Sequence, residues 1–104
     1  MNLKIGMGQL LVVGGNPGKN LSNASSMIKD AAGKGCDLVV LPECLDLGWT
    51  HPSAKEMAKP IPGKYSRILC ASAKSEGIHV VAGLTERLGD DLYNAAILLS
   101  LIHI

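Results

Sequence analysis

One carboxylate stands out among the groups that could do chemistry. In "DLVVLPECLDLGW", residues 37–49, an apolar run meets a proline and Glu43 follows at once. A carboxylate delivered to the end of a buried strand is a general base if it is held for chemistry. Otherwise it is a solvated or helix-capping group. Pro42 fixes the backbone there, and apolar neighbours would raise the carboxyl towards the range of a useful base. The residues by themselves leave both readings open. Cys44 adjoins Glu43, and a thiol within reach of a base is the material of nucleophilic catalysis. In an extended chain, however, successive side chains point to opposite faces. Glu43 is therefore not expected to serve as the base for its own neighbour.

The other candidates carry less. Cys36, Cys44 and Cys70 are an odd number without CxxC spacing, which argues against a disulfide framework and against a zinc site. Reduced thiols in a cytoplasmic protein are the expectation. Cys36 and Cys70 read as small buried hydrophobes, Cys70 on the inward side of a helix. His51, His79 and His103 show no ligand spacing, and His79 reads as a core or edge histidine. "GMG" at 6–8 is not followed by a third glycine opening a helix, so the dinucleotide fingerprint fails. "GGNPGKN" at 14–20 is one residue short for a phosphate loop and has Asn20 where magnesium binding needs Ser or Thr. Asn20-Leu-Ser and Asn23-Ala-Ser match the glycosylation acceptor pattern. They read as chance, because the N-terminus lacks the basic flank and cleavage site of a signal peptide.

The elements that must position Glu43 follow from periodicity. The 104 residues suffice for one small domain, and 47% hydrophobic with 18% charged content fits a globular chain. Residues 3–13 open with alternating Leu3, Ile5 and Met7 and read as a strand. Asn16-Pro17 is a helix start; Leu21, Ala24, Met27, Ile28, Ala31 and Ala32 form one stripe, and Gly33 and Gly35 end it. "CDLVVLP" reads as a strand buried on both faces. A long loop with a short helical turn at 53–58 follows. Residues 64–76 read as a helix with Tyr65, Ile68, Leu69 and Ala73 inward, ended by Gly77. "IHVVAGLTER" and "LYNAAILLS" read as strands joined by a Gly-Asp-Asp turn. The β-α-β-α-β-β order predicts an α/β fold with parallel pairs and a closing antiparallel hairpin. A net charge of +1 without a basic block, and the lack of an aromatic series, exclude nucleic acid and anionic membranes as expected partners. The N-terminal apolar run is too short to span a bilayer.

Taken together, these stretches resemble the carbon–nitrogen hydrolase (nitrilase) family. The likeness runs through Lys4-Ile5 to Gln9, the helix from Asn20, "CDLVVLPE" at 36–43, "GIHVVAGLTER" at 77–87 and "LYNAAILL" at 92–99. It implies that the chain is the N-terminal part of an α-β-β-α sandwich of two sheets. It also implies hydrolysis of small-molecule nitriles, amides or carbamoyl compounds by a Glu-Lys-Cys triad, with no metal or organic cofactor. Glu43 matches the family's glutamate, which takes the proton from a cysteine thiol so that the thiolate attacks substrate carbon. The lysine and cysteine follow the strand that here ends near residue 100, and neither is matched. Lys55, Lys59, Lys64 and Lys74 precede that strand, and Cys36, Cys44 and Cys70 fall in the wrong elements. The chain by itself is therefore expected to be inactive. The family associates through helices packed back to back, so the parent is expected to be a homo-oligomer.

The last six residues, Leu-Ser-Leu-Ile-His-Ile, depart from the likeness. One frame of a transposase mosaic-end adapter, CTG TCT CTT ATA CAC ATC, encodes the same hexapeptide. The expectation is a truncated hydrolase domain at 1–98 followed by a foreign tail at 99–104. The rival reading is a small non-catalytic α/β domain whose Glu43 pocket binds a ligand or a partner chain. A lysine and a cysteine in the family's order downstream would decide for the enzyme.

Overall fold

The computed structural model describes residues 2–100. His103 and most of the 99–104 hexapeptide lie outside them. Four strands form one sheet in the order β1-β2-β3-β4. β1 (Ile5–Met7), β2 (Leu38–Val40) and β3 (His79–Leu88) are parallel neighbours, and β4 (Asp91–Leu99) runs antiparallel to β3. α1 (Pro17–Gly33) and α3 (Lys64–Glu76) connect the parallel strands, and a single turn, α2 (Ala54–Met57), precedes α3. No helix among the described residues is long and apolar enough to cross a membrane.

Local chemistry accounts for the helices. The Asn16 side chain accepts from Lys19 N at 3.2 Å, and Pro17 takes the first helical position, where its missing N–H costs nothing. The predicted stripe faces in: Leu21, Ala24, Ile28 and Ala31 are buried, with Met27 and Ala32 packed at its edge. α3 ends on Gly77 at φ 67, a left-handed position that glycine adopts without a Cβ penalty. One assignment differs. Ser66, not Ile68, joins Tyr65, Leu69 and Ala73 inside, because the Ser66 hydroxyl is needed at the helix start, where it accepts from Gly63 N at 2.8 Å. Ile68 is left exposed, and so is Cys70, which was expected inside. Cys36 is half-buried against the core.

Both helices cover one face of the sheet. Their core unites Ile28 and Leu69 with Val39, Val80, Ala82 and Leu84. The glycines of "GMG" serve this packing. A Cβ on Gly6 would stand 3.0 Å from Cys36 Sγ, and one on Gly8 would stand 2.8 Å from Met27 Cγ. The opposite face is different. Register places Met7, Val40, Val81 and Leu98 in one row across all four strands. Met7 and Leu98 are exposed, and Val40 and Val81 are half-buried. β2 is therefore buried on its helix side only, not on both. β1 and β2 are also shorter than predicted. β2 stops before Pro42, so beyond the Gly8 N–Val40 O bond of 2.8 Å the first strand has no neighbour to pair with.

Candidate active site

Glu43 stands just past β2, where the chain stays attached to β3 after its own strand ends. Leu41 N donates to Val81 O at 2.8 Å, Gly83 N to Pro42 O at 3.2 Å, and Leu45 N to Gly83 O at 3.0 Å. Gly83 thus holds the Glu43 turn on both sides with its backbone. It can do so because it has no side chain: a Cβ there would collide with the Glu43 Cα and stand 3.0 Å from Cys44 N.

The Glu43 side chain is exposed, not enclosed by the apolar groups expected around it. One carboxylate oxygen, Oε2, accepts from Asn94 Nδ2 of β4 at 2.9 Å. Cys44 departs further from expectation. It is not extended but lies at φ 49, in the left-handed region that non-glycine residues seldom occupy. The premise that separated it from Glu43 does not hold. Its buried thiol also reaches Asn94, donating to Oδ1 at 3.6 Å. Burial pushes this thiol up from its ordinary value; a hydrogen bond with Thr85 offsets part of the rise, and the charges of Asp46 and Glu43 add to it. The reactive form of cysteine is the thiolate, so these surroundings oppose a nucleophilic role for Cys44.

Two further polar residues build the turn. Asp46 is fully buried. Its carboxylate accepts from Leu47 N at 2.9 Å and, through both oxygens, from Thr85 N at 3.0 and 3.2 Å. Desolvation raises its carboxyl above the ordinary value, and the hydrogen bonds from Thr85 and Leu47 only partly oppose the rise. Asn20, half of the failed phosphate-loop and glycosylation patterns, is a buried clamp. It bonds both Val13 N and Val13 O at 2.8 Å and donates to Asp46 O at 2.9 Å. α1 thereby fixes the far side of the Glu43 turn.

A cleft of about 360 Å³ opens beside this arrangement, walled by Cys44, Trp49, His51, Thr85, Tyr93 and Asn94 among others. Glu43 is not part of its wall; its partner Asn94 is. His51 Nδ1 accepts from Ser53 N at 3.1 Å and lies 2.8 Å from Ser53 Oγ. The ring lies against Gly14, where a Cβ would collide with it. Behind the cleft, Arg87 of β3 ties the α2 segment to the sheet by bonding the Ala58 and Ala54 carbonyls at 3.0 and 3.1 Å. Asn94, Asp46 and Gly83 do not stand out in the sequence, and Asn20 does so only through patterns that fail. The available signals were slight: an aspartate between two leucines, and an asparagine breaking the apolar run of "LYNAAILL".

Residues 4–102 match the family model described as carbon-nitrogen hydrolase. The chain belongs to the carbon-nitrogen hydrolase family. It is 42% identical over 85 residues to a nitrilase of Pyrococcus abyssi, a match covering 78% of this chain and 32% of that protein. It is also 42% identical over 76 residues to the omega-amidase NIT2 of Danio rerio, covering 72% and 27%. The match to these relatives therefore spans about a third of their length. Among solved structures, a CN-hydrolase superfamily protein of Xanthomonas campestris with an arsenic adduct in its active site superposes with a TM-score of 0.82. That pair is 21% identical, with 94% of this chain and 36% of that one covered. A mutant amidase of Nesterenkonia sp. AN1, with acrylamide added at its active site cysteine, gives 0.79 at 19% identity, covering 93% and 39%. The fold is that of this family: one sheet with helices on one face supplies one α-β half of an α-β-β-α sandwich.

Proposed function

We propose that this chain is the N-terminal part of a cytoplasmic, cysteine-dependent hydrolase of small-molecule amide, nitrile or carbamoyl compounds, with Glu43 as its general base. The observation that carries the reading is the placement of Glu43. It is rigidly mounted past a central strand, fixed through one carboxylate oxygen by Asn94, in a chain of a carbon–nitrogen hydrolase family. For an amide, Glu43 takes the proton of a cysteine thiol, the thiolate attacks the carbonyl carbon, the C–N bond breaks as that proton passes to the nitrogen leaving as ammonia, and water then hydrolyses the thioester to release the acid and the thiol. A lysine stabilises the charge that develops on the substrate. That lysine and that cysteine are expected from chain beyond β4; the raised Cys44 thiol and the exposed Cys70 fit neither role. The active site cysteine of the Nesterenkonia amidase supports the same chemistry. Residues 1–98 are the hydrolase portion in this reading, 99–104 a foreign tail, and the parent a homo-oligomer associating through its helix layer.

The test is ammonia release by the intact protein from a panel of nitriles, amides and carbamoyl compounds, before and after thiol alkylation. The expected result is turnover of at least one class, abolished by alkylation, with none from the 104-residue chain. Turnover that survives alkylation would overturn cysteine catalysis, and turnover by the 104-residue chain would overturn the assignment of the nucleophile to later sequence.

A further inference from the structure

Two hydrogen bonds from adjacent residues converge on one amide. Asn94 Nδ2 donates to Glu43 Oε2 at 2.9 Å, while Asn94 Oδ1 accepts from the Cys44 thiol at 3.6 Å. A carboxamide has one accepting end and one donating end, so whatever binds the oxygen decides where the nitrogen points. A thiol donates only while it carries its proton. Burial, with the nearby charges of Asp46 and Glu43, favours that form of Cys44. The left-handed backbone at Cys44 is what turns two consecutive side chains towards a single partner, which an extended chain cannot do.

We propose that Asn94 is a positioning residue for Glu43, and that the Cys44 thiol sets its orientation. This rests on the general-base reading of Glu43. Oε2 is fixed by the amide, and among the described residues Oε1 accepts no hydrogen bond. Oε1 is then the oxygen presented to the nucleophile. Glu43 is otherwise an exposed side chain with several rotamers, and a base contributes only when held within hydrogen-bond reach of the proton it removes. Cys44 accordingly acts as a lock on an amide and not as the attacking group.

The test compares Asn94→Asp, Asn94→Ala and Glu43→Gln in the intact protein. Asn94→Ala is expected to lower kcat about 10- to 100-fold, with KM within about threefold. Asn94→Asp keeps the shape but sets a second carboxylate against Glu43. Two carboxylates at that distance resist joint ionisation, so the acidic limb of the kcat/KM profile is expected to move up by about one pH unit or more. A purely structural asparagine would change the melting temperature and leave the kcat of folded Asn94→Ala within about threefold of the parent. Cys44→Ala is expected to lower kcat in the same direction, and Cys44→Ser, which restores a donor, to recover most of it. If Glu43→Gln is inactive while Asn94→Asp keeps its kcat and its pH profile, the positioning role is overturned and the base assignment stands. If Glu43→Gln retains turnover, the base assignment falls and this inference falls with it. Should Asn94→Ala fail to fold, the near-isosteric Asn94→Asp profile decides.

Discussion

Glu43 and Asp46 lie three residues apart and meet opposite surroundings: the first is exposed, the second fully buried. Desolvation raises the Asp46 carboxyl from its ordinary 3.8. Between that value and the raised one, the folded chain holds a proton the unfolded chain has lost. Stability is then greatest below the ordinary carboxylate range and declines as pH rises through the native value. Urea denaturation of the intact protein from about pH 4 upward should show this decline, and Asp46→Asn should lack it; equal slopes in the two proteins would contradict the assignment. Sequence exposed Glu43 because its signal is local: an apolar strand, a proline, then a charge. Asp46 gave no such signal. Its partner is the Thr85 N–H, 39 residues away, and no periodicity of the 43–49 loop reports that. The same holds for Asn94, 51 residues from the carboxylate it binds. Cys44 was misjudged for a related reason, since its left-handed φ follows from the docking of the turn on Gly83 and not from its neighbours in sequence.

At the level of elements, the Glu43 turn is held from two sides, by β3 through Gly83 and by α1 through Asn20. Gly83→Ala forces the turn away from β3 and should cost about 1–3 kcal/mol, as overpacking does. In the intact protein it should lower kcat more than it raises KM. Thermal unfolding together with kinetics checks this, and unchanged values for both would show that the turn does not rest on bare backbone. Asn20→Ala strips partners from Val13 and from Asp46 O, leaving buried polar groups unsatisfied; chemical denaturation should show a loss of about 1–3 kcal/mol. The helices were legible because their signals are repeated within one segment: the Leu21-to-Ala32 stripe, the Asn16-Pro17 start and the Gly77 stop. The hairpin was legible from its apolar strands and turn residues. The lengths of β1 and β2 were not, because a strand lasts only as long as its neighbour, and that neighbour lies a helix away in sequence.

At the scale of the whole molecule, the helices among the described residues cover one face of the sheet only. α1 and α3 cover one side of the sheet, while the row from Met7 to Leu98 stands open on the other. Contiguous apolar surface of this kind drives association, so the 104-residue chain by itself should run as higher-order species in size-exclusion chromatography with light scattering. A monodisperse, cooperatively unfolding monomer would contradict that expectation. The parallel order of the first three strands, and hence the delivery of Glu43 to their carboxyl ends, could be read from alternating helical and apolar segments. The open face could not, because a half-buried valine and a fully buried one look alike in a β-branched run. The most direct test of the central claim is the turnover of intact Glu43→Gln, a change that keeps the shape of the side chain and removes its ability to accept a proton. The prediction is a fall in kcat on the order of 10²–10⁴-fold, with an unchanged melting curve. Near-normal turnover by that variant would contradict the role assigned to Glu43.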